Sequence, residues 1–295
     1  MIIRNPNTID INANGKELLE KELNTDGFVV NQGDVADYLM HRINPHWHDE
    51  LELFVLDSGQ VEIELNGNHF LLDKGDGCFV NQGILHSFEA KSKEAKFRSF
   101  VFQSSFVSGM TGSTFDLKYV SSFLKYGSSH LVFRSDNDNK YFQMFNEAFD
   151  YCESEQYGYE FHLRYLLSKI LLHCSQAEQY CRSSASNLLN ERVKKMMLWI
   201  DEHLEEDITI QMLAEYSNLC TRECQRCFGK VLNCTPMEYV RHKRVLKAAQ
   251  MLRQTTMPIV EVAHHLHFSN SSHFCKVFKE MVGYTPMQYR KKHTA

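Results

Sequence analysis

The stretch CTPMEYVR, Cys234 to Arg241, returns fifty positions later as YTPMQYRK, Tyr284 to Lys291. Each copy holds Thr-Pro with Glu or Gln three residues after the threonine: Thr235 with Glu238, and Thr285 with Gln288. A threonine hydroxyl can accept a free first-turn amide while the Glu or Gln side chain returns to the threonine amide, which makes a capping box. Pro236 and Pro286 fall at the first helical position, where an amide would be unpaired anyway. Each phrase therefore opens a helix.

The repeat extends backwards. Thr221, Cys224, Arg226, Cys227 and Phe228 align with Ser271, Phe274, Lys276, Val277 and Phe278 at the same offset, and Leu213-Ala214 matches Val262-Ala263 one residue closer. Each unit reads as a short helix with an apolar pair, a turn, a second helix opened by Thr or Ser, and the Thr-Pro helix. This is the helix-turn-helix arrangement, which lays its second helix in the major groove of DNA. A helical solenoid needs three or more units to bury its faces, and the sequence holds two. The helix expected from about Pro236 to Arg253 is a rod of about 27 Å, close to the roughly 34 Å of one DNA turn.

Charge divides along the chain. Residues 1–187 carry 16 Lys and Arg against 26 Asp and Glu, net −10; residues 188–295 carry 16 against 11, net +5. The basic tail suits a polyanion and the acidic body does not. The 43% apolar and 23% charged composition is that of a globular chain. No window approaches a membrane span. The start, MIIRNPNTID, lacks the pattern of a signal peptide, so the expected address is the cytoplasm. Nine cysteines, an odd number without an export signal, are expected to be reduced thiols rather than a disulfide framework.

From Leu51 to about Gln103 the period is two: Val61, Ile63 and Leu65 alternate with Glu62 and Glu64, and Asn66-Gly67 supplies a tight hairpin turn. Phe70–Leu72, Cys78–Val80 and Phe97–Phe102 read as further short strands of a sandwich or barrel. After about Asn137 the period becomes helical, in Phe142, Phe145, Phe149 and Cys152 and again in Leu163, Leu166, Leu167, Ile170 and Leu171. Arg182–Asn187 is small and polar and reads as a linker. The expected division is a barrel over 1–135, a helical linker or dimerisation segment over 136–187, and an all-helical domain over 188–295. The fold class is α+β.

Residues from about Ile208 to Lys292, above all LAEYSNLCTRECQRCFGKVLNCTPMEYV and VAHHLHFSNSSHFCKVFKEMVGYTPMQYR, resemble the DNA-binding domain of the AraC/XylS family of transcription regulators. The resemblance implies that Arg222, Gln225 and Arg226 on the first reading helix, and Ser271, Ser272, His273, Cys275 and Lys276 on the second, approach bases and phosphates. Arg suits guanine and Gln suits adenine. Lys230, Lys279 and Arg290 would hold phosphates and set register. His267 stands where the family usually has Gly, which predicts strain or altered geometry in that turn. Cys224 and Cys227 form a Cys-x-x-Cys with Cys220 and Cys234 nearby, but they align with Phe274 and Val277 and are expected in the core rather than on zinc.

In the first half, Pro45-His46-Trp47-His48-Asp49-Glu50-Leu51-Glu52, followed by Gly59, and then Gly75, Asn81-Gln82-Gly83 and His86, resemble the two-part cupin motif of a small jelly-roll barrel. Asn81 replaces the usual proline. Even numbering would place His46, His48 and Glu52 on one face of a strand. The resemblance implies an effector pocket formed by His46, Trp47, His48, Glu52 and His86, with Phe54, Phe79 and Phe88 lining or supporting it. His46, His48, Glu52 and His86 are either a divalent-metal set or a hydrogen-bonded cluster at the barrel mouth. The expected protein is not an enzyme and has no catalytic residues or obligatory cofactor. It is an effector-controlled regulator, an activator by preference, acting as a homodimer on double-stranded promoter DNA and answering a small molecule, with a sugar as the effector class the family suggests. The alternatives are a cupin metalloenzyme, or a metal or redox sensor, with an appended DNA-binding domain.

Overall fold

Alternating hydrophobicity closes the first half into two facing sheets. The computed structural model describes residues 3–6, 16–17, 19, 23, 27–176 and 184–293, the side chains of 184–188 aside. Strands β1 (Ile3–Arg4), β2 (Phe28–Asp34), β3 (Arg42–His46), β4 (Leu51–Leu56), β5 (Gln60–Leu65), β6 (Asn68–Asp73), β7 (Gly77–Val80), β8 (His86–Ala90) and β9 (Lys96–Phe102) lead to two short helices, α1 (Ser104–Ser108) and α2 (Ser121–Tyr126), and then to β10 (His130–Phe133). One sheet has the order β1-β2-β9-β4-β7-β10 and the other β3-β8-β5-β6. All pairs are antiparallel except β1 with β2. The Asn66-Gly67 hairpin forms as read: Leu65 pairs with Asn68, and the two turn residues have φ of 55° and 80°, the positive values a tight turn demands.

Strand β4, LELFVL, is buried along its whole length because its sheet is covered on both sides. Phe54 and Leu56 join Val61, Ile63, Leu65, Phe88 and Phe97 in the core between the sheets. Leu51, Leu53 and Val55 join the other core, with α3 (Asn139–Ser154) and α4 (Tyr159–Gln176). Those helices, in the stretch read as linker or dimerisation segment, contribute Tyr141, Phe145, Phe149, Leu163, Leu167 and Ile170 to that core. Phe79 lies there too, against Phe123 at 5.7 Å. It therefore faces away from the barrel interior where its place in the motif would put it.

Two compact units divide the chain, the second beginning at Leu188. Of the expected linker, Arg182 and Ser183 lie outside the described residues, while Ser184–Asn187 is already helical, at the start of α5 (Ser184–Glu202). The second unit continues with α6 (Ile210–Ser217), α7 (Thr221–Val231), α8 (Pro236–Gln254), α9 (Ile259–His265), α10 (Ser271–Val282) and α11 (Pro286–His293). Among the described residues no helix is long and apolar enough to cross a membrane.

Candidate functional site

Both Thr-Pro phrases cap helices as their chemistry demands. The Glu238 amide donates to Thr235 Oγ1 at 3.2 Å and the Thr235 amide to Glu238 Oε2 at 2.7 Å. The Gln288 amide donates to Thr285 Oγ1 at 3.3 Å and the Thr285 amide to Gln288 Oε1 at 3.0 Å. The reading helices open at the Thr and Ser of the repeat. Thr221 and Ser271 are first helical residues; the cap of α10 is Asn270, whose Oδ1 accepts the His273 amide at 2.8 Å, and the cap of α7 is Cys220, with no side-chain cap bond.

Helices α7 and α10 present equivalent faces. Cys224, Cys227, Phe228 and Val231 are buried on the first, and Phe274, Val277 and Phe278 on the second. The Cys-x-x-Cys is thus core, as the repeat implies. Arg222, Gln225, Arg226 and Lys230 are exposed on α7; Ser272, His273, Lys276 and Lys279 are exposed on α10, with Ser271 and Cys275 half-buried. Positions 222, 225, 226 and 229 share one helical face, and 272, 275, 276 and 279 repeat it fifty residues on. Helix α8 joins the two units with 19 residues, about 28 Å of rod. Arg290 stands apart. Half-buried, its guanidinium donates to the Met257 carbonyl and ties α11 to the chain before α9.

The histidines of the first unit converge, although not from one strand. His46 ends β3, residues 47–50 leave the sheet, and Glu52 sits on β4, so the chain crosses between the two sheets within six residues. His86 opens β8 beside His46. One ring nitrogen from each of His46, His48 and His86 lies within 4.8 Å of the others. The ring centroids of His86 are 4.1 Å from His46 and 5.0 Å from His48. Glu52 Oε2 lies 3.2 Å from His86 Nε2 and 3.6 Å from His48 Nε2. All four side chains are buried.

Backbone carbonyls orient the rings. Nδ1 faces Asn44 O at 2.8 Å in His46, Glu50 O at 3.1 Å in His48 and Ile84 O at 2.7 Å in His86. A carbonyl only accepts, so the proton of each neutral ring resides on Nδ1 and Nε2 keeps its lone pair. Burial, followed by the charges His86 and His48 would carry, pushes the His46 imidazole well below its ordinary range. Burial would raise the Glu52 carboxyl, but the hydrogen bonds and charge that His48 and His86 offer it once a second proton sits on Nε2 outweigh burial and hold the group well below the usual carboxylate range. Phe54 and Phe88, stacked at 4.5 Å, floor the cluster on the barrel side.

Trp47 is half-buried, with the Lys16 ammonium 5.6 Å above its ring and its carbonyl accepting the Glu17 amide. Glu17 itself reaches His46 Nε2 at 3.8 Å. No motif points to Glu17, which lies 29 positions before His46 and meets it only through folding. Asn81, in the place of the usual proline, is buried and donates to the Ser128 and Leu124 carbonyls at 3.1 and 3.3 Å. It stitches the end of β7 to the chain entering β10.

Comparison with known proteins agrees with both halves. Residues 213–292 match the model of a helix-turn-helix domain, and residues 33–138 that of an AraC-like ligand binding domain. The regulatory protein SoxS of Escherichia coli (strain K12) is 33% identical over 100 residues, which span 34% of this chain and 94% of SoxS. The chain belongs to the AraC family of transcription regulators. The uncharacterized HTH-type transcriptional regulator YdeC of Bacillus subtilis (strain 168) is 26% identical over 262 residues, covering 84% of this chain and 86% of YdeC. The HTH-type transcriptional activator RhaS of Enterobacter sp. (strain 638) is 23% identical over 258 residues, covering 85% and 88%. This AraC-family regulator thus pairs a β-rich ligand-binding half with a helical DNA-binding half, and its relatives are regulators rather than enzymes.

Proposed function

We propose that this AraC-family chain is a cytoplasmic activator that reads two successive major-groove segments of a promoter under control of a small effector held in its barrel. What supports the reading most is the repeated solvent face on α7 and α10, joined by a helix about as long as one turn of DNA. Arg222, Gln225 and Arg226, with Ser271, Ser272, His273, Cys275 and Lys276, meet base edges and nearby phosphates. Lys230 and Lys279 hold phosphates. The net +5 of residues 188–295 favours the same surface.

The effector lies against His46, Trp47, His48, Glu52 and His86. This is a hydrogen-bonding set suited to an oxygen-rich metabolite, and a sugar is the reading we prefer. Activation is favoured by the relative named as an activator. Phe161, Tyr165 and Leu172 are exposed along α4, an apolar stripe suited to a homodimer.

Selection of operators from random DNA tests the core of this reading. The expected consensus has two contacted segments about 10.5 bp apart per subunit. A protein that enriches no sequence, with or without candidate effectors, would not be such a reader.

A further inference from the structure

One guanidinium ties the two reading units together, and from it we infer that Arg244 is a positioning residue that fixes where α10 stands relative to α7. The inference rests on the two-segment reading above and names the residue that sets the spacing of those segments.

Arg244 lies half-buried near the middle of α8. Its Nε donates to the Leu204 carbonyl at 3.3 Å and its Nη2 to the Glu206 carbonyl at 2.6 Å, both in the loop that follows α5. Its Nη1 donates to the His267 carbonyl at 3.3 Å, in the turn between α9 and α10. These partners stand 40, 38 and 23 positions away along the chain. A planar fork holds several acceptors in fixed directions, whereas an ammonium is a single point charge on a flexible stem. Leu204 and His267 each lie two residues past a helix end, of α5 and α9 respectively. The negative end of a helix dipole favours a cation there.

Each side of this bracket is anchored. Helix α8 joins the first unit where Tyr239 meets Phe228 at 5.7 Å. Helix α5 meets the same unit through Trp199 and Tyr216 at 5.8 Å, and through Arg192 and Glu223 at 3.9 Å. On the other side, His267 precedes Ser271, the first residue of α10, by four positions, so the turn directs the second reading helix. Glu205 and His265, 3.1 Å apart, join the same two segments, but both are exposed and their pair contributes little. Helix α8 also packs against α9 and α10. Apolar contact is non-directional and tolerates small rotations; bonds to three backbone carbonyls do not. The consequence appears on DNA, where one base pair turns the groove by about 34°. A rigid pair of helices accepts one spacing, and a loosened pair accepts its neighbours as well.

The test measures binding of the full chain to duplexes carrying the selected operator, with the distance between its two contacted segments changed by one or two base pairs. Wild type is expected to prefer one spacing over its neighbours by about 10-fold, the cost of about one mismatched base pair. Arg244→Met keeps the apolar stem and is expected to reduce that preference to about 3-fold or less, with the salt slope unchanged because phosphate contacts remain. Arg244→Lys is expected to fall between the two. Arg253→Met, exposed on the same helix, is expected to keep the wild-type preference. Without DNA, amide hydrogen exchange at residues 267–273 is expected to quicken several-fold in Arg244→Met, while the first turn of α7 keeps its rate.

A wild-type spacing preference in Arg244→Met overturns the inference. So does an equal loss of affinity at every spacing, the mark of a residue that only supports the fold. Where Arg244→Met does not fold, Arg244→Lys decides, and a wild-type preference in it overturns the inference because one ammonium cannot hold the three carbonyls. Should wild type enrich no operator, the two-segment reading fails and the exchange rates judge the bracket alone. Unchanged exchange at residues 267–273 overturns it, and faster exchange leaves it standing without a role on DNA.

Discussion

Glu223 grips the guanidinium of Arg226 at two points on the reading helix α7, with Arg226 Nε donating to Oε2 at 2.8 Å and a second nitrogen to Oε1. Arg226 is exposed and central to the face proposed for DNA, so its charge is partly spent within the protein. Glu223→Gln should free it and remove a negative charge from the surface. Binding to a selected operator is expected to tighten several-fold, while Arg226→Ala and Lys276→Ala each weaken it by about 10-fold or more and lower the salt slope by about one. Fluorescence anisotropy across a salt series measures both effects. Wild-type affinity in Arg226→Ala and Lys276→Ala together would show that the reading helices are wrongly assigned.

His267 holds φ of 51° in the turn between α9 and α10, matching Asn218 at 51° in the first unit. The strain expected where the family usually has Gly is therefore real at the backbone. Asn tolerates this region and His less so. His267→Gly should stabilise the protein by about 1 kcal/mol. Gly283, at φ 82° with open space where a methyl group would point, should respond in the opposite sense when changed to Ala. Urea midpoints compare the two, and equal shifts of one sign would remove the backbone explanation.

Gly59 closes the turn between β4 and β5 with φ of 79°, and a Cβ there would stand 1.9 Å from the Glu94 carbonyl oxygen. Gly59→Ala must move backbone. It should cost about 2–4 kcal/mol through combined strain and overpacking. A thermal melt indistinguishable from wild type would contradict the tightness of that turn.

Asp201 on α5 meets Lys243 on α8 at 2.9 Å. Burial pushes its carboxyl up to about 6 from an ordinary 3.8, against the pull of Lys243. Because the folded value is the higher one, the stability this group contributes is complete below the unfolded value and is lost as pH rises through about 6. Two units correspond to about 3 kcal/mol. Chemical unfolding at pH 4 and pH 7 should show Asp201→Asn losing less stability over that interval than wild type. Identical pH slopes in the two proteins would mean that the carboxylate is ionised throughout.

Much of this molecule can be read from local chemistry. Thr235, Pro236 and Glu238 predict a helix start because capping acts between residues three apart, and the same phrase at Thr285 predicts the second. The period-two run around Ile63 and the Asn66-Gly67 turn predict a hairpin for the same reason. The buried faces of α7 and α10 follow from the repeat, since Cys224 and Cys227 must occupy the places of Phe274 and Val277.

Contacts between near neighbours thus suffice for the elements, their two-part division and the family. Tertiary structure decided which side chains meet. His46, His48 and Glu52 were expected on one strand, yet the chain leaves β3 after His46 and re-enters the opposite sheet at Leu51, so Glu52 faces His86 across the barrel. Glu17 reaches His46 over 29 positions, Arg290 is drawn into its own domain by the Met257 carbonyl, and Phe79 turns to the helices. Spacing along a chain encodes contacts within a turn or a strand. Contacts between sheets depend on where the backbone crosses, which only the packed cores of both faces settle.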